Sequence, residues 1–318
     1  MTLNILFHAD SDHWDEYRQP LPAALEAALE GTGETADLRT AGGFAPEEVD
    51  FMAYGPTNDP LDFTPYTRLK LVQNLWAGVD RVIGNKTLTQ PLARMIDTEG
   101  LTAGMVEWVT GHTLRHHLGM DTHILGQDGI WRNDTPPPLA KDRPVTILGM
   151  GALGSACGQT LARLGFPVTG WSRSPKSIDG ITTHHGPEGL RTALSGAQIV
   201  ILLLPDTAET KNTLNADTLA LLAPGAMVIN PGRGPMIDDD ALIAALDSGQ
   251  LSHATLDVFR VEPLPADHPF WAHPKVTVTP HIASWTRPDS ASKIVAENVR
   301  RLAVGEPFIN LVDRSLGY

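Results

Sequence analysis

The sequence predicts an α/β fold built on two doubly wound parallel sheets. Apolar runs of strand length alternate with stretches of helical spacing along most of the chain, the pattern of βα units. One such junction, Gly149-Met150-Gly151-Ala152-Leu153-Gly154, is a glycine-rich turn near the middle of the chain rather than at its start. The length, 318 residues, suggests about two domains of ~150 residues each.

Taken in order, Leu3 to His8 reads as a strand and Leu21 to Leu29 as a helix. Val49 to Tyr54 and Leu69 to Leu75 read as strands, the first ended by Gly55-Pro56, the second followed by Trp76-Ala77-Gly78-Val79-Asp80. Leu101 to Leu118 reads as one helix with Thr102 as a candidate cap. The stretch ending in Asn133-Asp134-Thr135-Pro136-Pro137-Pro138 cannot join a helix and must be loop. Beyond it, Pro144 to Leu148, Val168 to Trp171, Gln198 to Leu204, Ala226 to Asn230, Ala254 to Val258 and Val276 to Thr279 read as strands. Leu153 to Leu164, Asp239 to Asp247 and a closing Lys293 to Ala303 read as helices. The expected division is a substrate domain of residues 1–99 and 285–318, flavodoxin-like, into which a dinucleotide-binding domain of residues 100–284 is inserted. Both are expected to be Rossmann-like, with a ligand in the cleft between them.

Bulk properties narrow the partners. The apolar share of 42% and charged share of 19% are those of an ordinary globular protein with ample core. A formal net charge of -13 disfavours nucleic acid and gives no reason to expect an anionic membrane surface. Cys157, alone in the sequence, allows no intrachain disulfide and reads as a small buried packing residue. The start, Met1-Thr2-Leu3-Asn4-Ile5-Leu6-Phe7, has no basic region, and no window approaches the apolar length of a membrane helix, so a cytoplasmic protein is expected.

The glycine turn follows a strand and opens a helix, the context a dinucleotide fingerprint requires. Gly149 permits the tight turn, Gly151 lets the backbone approach a pyrophosphate, and Gly154 allows helix and strand to pack closely. Amide donors and the positive end of the helix would meet the phosphates. Cofactor choice is set at the end of the next strand, where NAD enzymes usually place a carboxylate for the ribose. Here Trp171 is followed by Ser172-Arg173-Ser174, with Lys176 beyond. Arg173 can stack on adenine and pair with a 2′-phosphate, which favours NADPH, with NADH possible.

Arg233, in the turn Asn230-Pro231-Gly232-Arg233-Gly234, offers a planar fork for carboxylate and carbonyl oxygens at the carboxyl edge of the sheet. His281, fixed after a strand by Pro280, is suited to proton transfer near neutral pH. Glu262, before Pro263, would favour the imidazolium and raise the pKa of a neighbouring His281. Arg233, Glu262 and His281 thus make a candidate site for reducing a keto acid.

The chain resembles the D-2-hydroxyacid dehydrogenase family over nearly its full length, and within it the bacterial glyoxylate/hydroxypyruvate reductase type. The glycine turn, Trp171 to Ser174, Leu203-Leu204-Pro205-Asp206-Thr207, Asn230 to Gly234, Leu256-Asp257-Val258-Phe259, Glu262-Pro263-Leu264-Pro265, Pro280-His281-Ile282-Ala283, and Val312-Asp313-Arg314 with Gly317-Tyr318 carry the likeness. The resemblance implies catalytic roles for Arg233, Glu262 and His281, and nicotinamide-carboxamide binding by Asp257. It also implies cofactor contacts along Gly149, Met150, Gly151, Ala152, Leu153 and Gly154, at Ser172, Arg173, Ser174 and Lys176, and at Leu204 and Pro205. Its substrate-carboxylate loop falls on Trp76, Ala77, Gly78 and Val79. It implies hydride transfer from NADPH to a small 2-keto acid, and a homodimer with Leu101 to Pro138 as the arm and His112, His116 and Trp131 as candidate interface residues.

Departures from the family pattern stand at Pro231, where a small residue with an amide is usual, and at Trp76, Trp285 and Arg287, which are bulky or charged near the expected mouth. They bear on which keto acid fits. Three alternatives are weaker: an NAD-linked dehydrogenase acting on another or bulkier acid, a non-catalytic dinucleotide-sensing protein, and a metal enzyme using His112, His116 and His117, for which no HExxH is present. No metal is expected.

Overall fold

The computed structural model describes all residues other than Met1, Asn58, Arg132, Asp134, Thr135, Leu316 and Tyr318. Asp134 and Thr135 of the proline-run loop, and Tyr318 of the C-terminal match, thus lie outside the described residues. The chain divides into two compact units, one of Met1–Leu101 with Trp285–Tyr318 and one of Thr102–Ser284.

The first unit has a five-stranded parallel sheet in the order β2-β1-β3-β4-β5. The strands are β1 Thr2–His8, β2 Thr35–Thr40, β3 Phe51–Tyr54, β4 Leu71–Asn74 and β5 Leu92–Ala93. This is the flavodoxin-like order. β3 and β4 are buried at every position, which is why their sequences read as unbroken apolar runs rather than as alternation. The helix Pro20–Leu29 buries Leu21, Leu25 and Leu29, one stripe at a spacing of four. It packs against the closing helix Pro288–Val304, which buries Ala291, Val295, Ala296 and Val299.

The second unit has a seven-stranded parallel sheet in the order β12-β11-β10-β9-β6-β7-β8. Its strands are β6 Val145–Leu148, β7 Val168–Ser172, β8 Thr182–His185, β9 Ile199–Leu202, β10 Ala226–Asn230, β11 Leu251–Leu256 and β12 Val276–Val278. Read from β8 inward, this is the dinucleotide-binding order with one strand added beyond β11. Chain direction across the sheet reverses between β6 and β9, so the loops leaving those two strands flank the switch point where ligands bind in such sheets. The helix Ala152–Arg163 lies over the sheet and buries Gly154, Cys157, Gly158 and Leu161. Burial pushes the Cys157 thiol up to about 12, so it stays an inert packing group.

Several elements differ from the sequence expectation. β2 and β8, not foreseen, are edge strands of sequence Thr-Ala-Asp-Leu-Arg-Thr and Thr-Thr-His-His, too polar to show an apolar run. The closing helix begins at Pro288, well before Lys293, because proline is favoured in a first helical turn. Thr102 is not a cap: its backbone is already helical and its buried hydroxyl has no partner. The helical run starts earlier, where the Asp97 carboxylate accepts the amides of Glu99, Gly100 and Leu101.

The histidines of the helix Ala103–His117 are also corrected. His116 and His117 are buried within the chain and are neither solvated nor free to meet another subunit, while His112 is half-buried against Trp108. His116 Nε2 lies 2.9 Å from Thr255 Oγ1 and its ring 5.0 Å from that of His253. His253 Nε2 lies 2.8 Å from Thr277 Oγ1, which also accepts from Arg115. Burial first, then the neighbouring positive groups, hold His116 down to about 3 and His253 to about 4. Below about 6.5 the unfolded chain protonates these rings while the fold does not. The unfolded state then binds more protons, so stability is full above that pH and falls as pH drops towards the folded values. Thermal midpoints measured from neutral pH downward should therefore fall, and His253→Gln should flatten the decline. An unchanged slope in the variant would refute the assignment.

Candidate active site

The glycine turn joins β6 to the helix Ala152–Arg163 at the switch point. Gly149 has φ +106°, and a Cβ there would stand 2.3 Å from the Leu203 carbonyl oxygen. A Cβ on Gly154 would stand 1.8 Å from the carbonyl oxygen of Gly149. These two glycines are therefore demanded by the turn itself. Gly151 is different: nothing lies within 4 Å of its Cβ position, so its side of the turn is open. Met150 is buried beneath, against Gly170, while Ala152 is exposed and Leu153 packs on the core. A dinucleotide pyrophosphate fits this arrangement, an open glycine face before a helix N-terminus.

At the end of β7, Ser172 is buried and its hydroxyl donates to the Ser174 carbonyl at 2.7 Å, closing a tight loop. Arg173, Ser174 and Lys176 are exposed on it. Arg173 Nη1 lies 3.4 Å from Glu209 Oε2, an exposed pair of the kind worth little in water. Leu204 and Pro205 follow β9, with the Pro205 carbonyl accepting from the Thr210 hydroxyl at 2.7 Å.

The chemical corner lies at the carboxyl ends of β10, β11 and β12. Asn230, the last residue of β10, accepts the Gly232 amide at 3.1 Å and donates to the Arg233 carbonyl at 3.0 Å, bracing the Arg233 turn. Pro231 is buried inside that turn. A Cβ on Gly234 would stand 1.9 Å from the Phe259 carbonyl carbon, so the Arg233 turn packs directly on the loop carrying Glu262. Glu262 Oε1 accepts the Phe259 amide at 2.8 Å, and Glu262 Oε2 lies 2.8 Å from His281 Nδ1. Burial alone would raise the Glu262 carboxyl, but the hydrogen bonds from His281 and Phe259 and the charges of His281 and Arg233 outweigh it and lower it. Glu262 is thus an anion holding Nδ1, which turns Nε2 of His281 away from it.

His281 has φ +54°, in the left-handed region that few side chains adopt. Asp257 holds it there. Fully buried, the Asp257 carboxylate accepts the Thr279 hydroxyl at 2.5 Å and the amides of Ile282 and Ala283 at 2.9 and 2.8 Å, and its backbone carbonyl accepts the His281 amide at 2.8 Å. This bracing was not foreseen, nor was that by Asn230. Thr279 stood two residues before His281 as a possible signal, read only as a strand end.

Trp76, Ala77, Gly78, Val79, Trp285 and Arg287 belong to the first unit. The loop 76–79 follows β4, half-buried except for the buried Val79, and among the described residues no acceptor meets the amides of Ala77, Gly78 or Val79. Trp285 and Arg287 are exposed just before the closing helix.

Two parallel sheets, the second in dinucleotide-binding order with its glycine turn at the switch point, define a Rossmann-type α/β protein of two units. Residues 110–283 match the family profile of the D-isomer specific 2-hydroxyacid dehydrogenase, NAD binding domain. The chain is 43% identical to a glyoxylate/hydroxypyruvate reductase A of Serratia proteamaculans, over 99% of this chain and all of that one. Among solved structures it is similar to a D-isomer specific 2-hydroxyacid dehydrogenase of Xanthobacter autotrophicus in complex with NADPH and MES, at TM-score 0.90 and 40% identity over the whole of both chains. It is also similar to an NADPH-dependent glyoxylate/hydroxypyruvate reductase of Sinorhizobium meliloti in complex with NADP and sulfate, at TM-score 0.83 and 32% identity, again over both whole chains. The chain belongs to the D-isomer specific 2-hydroxyacid dehydrogenase family, and is an NAD(P)-dependent oxidoreductase.

The turn's geometry separates its glycines by experiment. Gly154→Ala should destabilise the second unit by about 1–3 kcal/mol, since the added methyl has no room. Gly151→Ala should leave the thermal midpoint unchanged and weaken dinucleotide binding. Equal losses of stability in both variants would contradict the division.

Proposed function

We propose that the chain is a cytoplasmic reductase that uses NADPH to convert a small 2-keto acid, of the glyoxylate or hydroxypyruvate type, into the 2-hydroxy acid. The observation that carries this is the 2.8 Å contact of His281 Nδ1 with Glu262, at the strand ends of a dinucleotide-binding unit. NADPH, when bound, supplies the hydride. The residues do the rest. Glu262, kept ionised, holds Nδ1 of the His281 ring and leaves Nε2 to deliver a proton to the carbonyl oxygen. Arg233 draws charge from that oxygen and holds the carboxylate in its planar fork. The family resemblance assigns the substrate carboxylate to the 76–79 loop, whose Ala77, Gly78 and Val79 amides meet no acceptor among the described residues, and selection among keto acids to Trp76, Trp285 and Arg287. Asp257 already accepts three donors, which leaves its carboxylate about one acceptor position for the nicotinamide carboxamide.

Arg173 and the hydroxyl of Ser174, with Lys176, favour the 2′-phosphate of NADPH, and the NADPH and NADP of the two solved relatives support the same preference. Use of NADH gains one observation, the Glu209 carboxylate beside Arg173. That exposed pair is weak enough for a phosphate to displace. A homodimer is part of the proposal: Ile124, Leu125, Ile130, Trp131 and Leu139 form an exposed apolar run in the second unit, with Trp131 88% exposed, and a second copy would cover them.

Initial rates with glyoxylate should be high with NADPH and low with NADH, and Arg173→Ala should narrow that difference. His281→Ala should lose at least about 100-fold in kcat while NADPH affinity is kept. Undiminished turnover would remove His281 from the mechanism. Sedimentation should give a dimer that Trp131→Ser weakens; a monomeric wild type would overturn the proposed assembly.

A further inference from the structure

Asn74 ends β4 immediately before the 76–79 loop, and its side chain is fully buried. Its amide nitrogen donates to two carbonyls of that loop at once, those of Trp76 and Gly78, each at 2.8 Å. The Trp76 carbonyl receives a second donor, the Met95 amide, at 3.1 Å. In a trans peptide the N–H points opposite to the carbonyl of the same unit. Drawing the Trp76 and Gly78 carbonyls towards Asn74 therefore turns the amides of Ala77 and Val79 away from it, and neither meets an acceptor among the described residues. Two amides turned to the same side of a loop can together receive an anion. Donation to the carbonyl end of each peptide unit also polarises it, which strengthens the N–H at the other end.

Stability explains the side chain only in part. Its own carbonyl oxygen, Oδ1, is buried with no partner among the described residues, an arrangement that counts against folding. An apolar residue would suit the end of a fully buried strand better, but it would leave the two loop carbonyls without this donor.

We infer that Asn74 is a positioning residue for substrate binding, setting the outward orientation of the Ala77 and Val79 amides that receive the substrate carboxylate. This rests on the proposed role of the 76–79 loop. Asn74 touches no reacting atom. Its effect reaches the substrate through two peptide planes, so it belongs to affinity for the acid and not to the chemical step. Cofactor binding, assigned to residues of the second unit, is independent of it.

Asn74→Leu is similar in shape and uncharged, and removes the two donated hydrogen bonds together with the buried Oδ1. Its KM for glyoxylate with NADPH should rise about tenfold, with kcat little changed. The dissociation constant for NADPH should stay at the wild-type value, while the thermal midpoint falls modestly because the Gly78 carbonyl loses its donor. Asn74→Ser, which keeps one donor, should give an intermediate KM and serves alone if the leucine variant does not fold. An unchanged KM in a folded variant, or a rise in KM matched by loss of NADPH affinity, would overturn the inference. Ala77→Pro, which deletes one loop amide, separates this from the role of the loop. If it raises KM while the Asn74 variants do not, the loop holds the carboxylate without Asn74. If it leaves KM unchanged, the loop is not the carboxylate site and both readings fall.

Discussion

The Asp257 carboxylate ties β11, the end of β12 and the loop beyond it into one corner. It takes a hydroxyl and two amides, while its main chain takes a third amide from His281. A non-glycine residue in the left-handed region costs about 1–3 kcal/mol. Four hydrogen bonds at about 1 kcal/mol each, two of them amides to a buried carboxylate, are enough to hold it there. The His281 ring therefore stands where Glu262 can reach Nδ1 because of a residue that does not touch the ring. Glu262 is braced in turn by the Phe259 amide, and the Phe259 loop by its contact with Gly234. The corner is rigid because each loop leans on the next.

How much of this was legible depends on where each residue sits. The central strands β3, β4, β6, β9 and β10 are buried on both faces, and burial writes an apolar run that anyone can read. The edge strands β2 and β8 carry no such mark, because an edge half in water tolerates threonine, histidine and charge. The glycine turn was legible since only glycine meets its backbone demands. Its division into two steric glycines and one open one was not, since that depends on Leu203 and on the Gly149 carbonyl. Glu262 and His281, nineteen residues apart, could be named from their neighbours in sequence, but their meeting follows from β12 pairing with β11. The bracing by Asn74 and Asn230 gave no signal, although Asn230 stands in the turn motif of Arg233, because both hold main-chain atoms in place.

Electrostatics is local in this protein. With a net charge of -13, the field of the whole molecule repels anions, yet a 2-keto acid and a dinucleotide are both anions. In the proposed reading the answer lies in short-range donors: the N-terminus of the helix Ala152–Arg163, the guanidinium of Arg233, and the amides of the loop after β4. Peptide dipoles suit this purpose, because they offer positive ends without adding a mobile charge. Screening by salt at ordinary ionic strength, with a Debye length of about 8 Å, weakens the distant repulsion more than these contacts.

The first unit is assembled from both ends of the chain, and this has a consequence on the ribosome. The helix Pro20–Leu29, which buries Leu21, Leu25 and Leu29, packs beside the helix Pro288–Val304, which is made much later. At about 5–20 residues per second, the roughly 200 residues between Leu101 and that helix take about 10–40 seconds to emerge. During that interval the second unit, contiguous in sequence, can fold alone while the nascent first unit shows an apolar helix face with nothing to cover it. Such a face is a natural target for chaperones that hold unfinished chains, so the insertion that builds this architecture also gives its synthesis an obligatory waiting period.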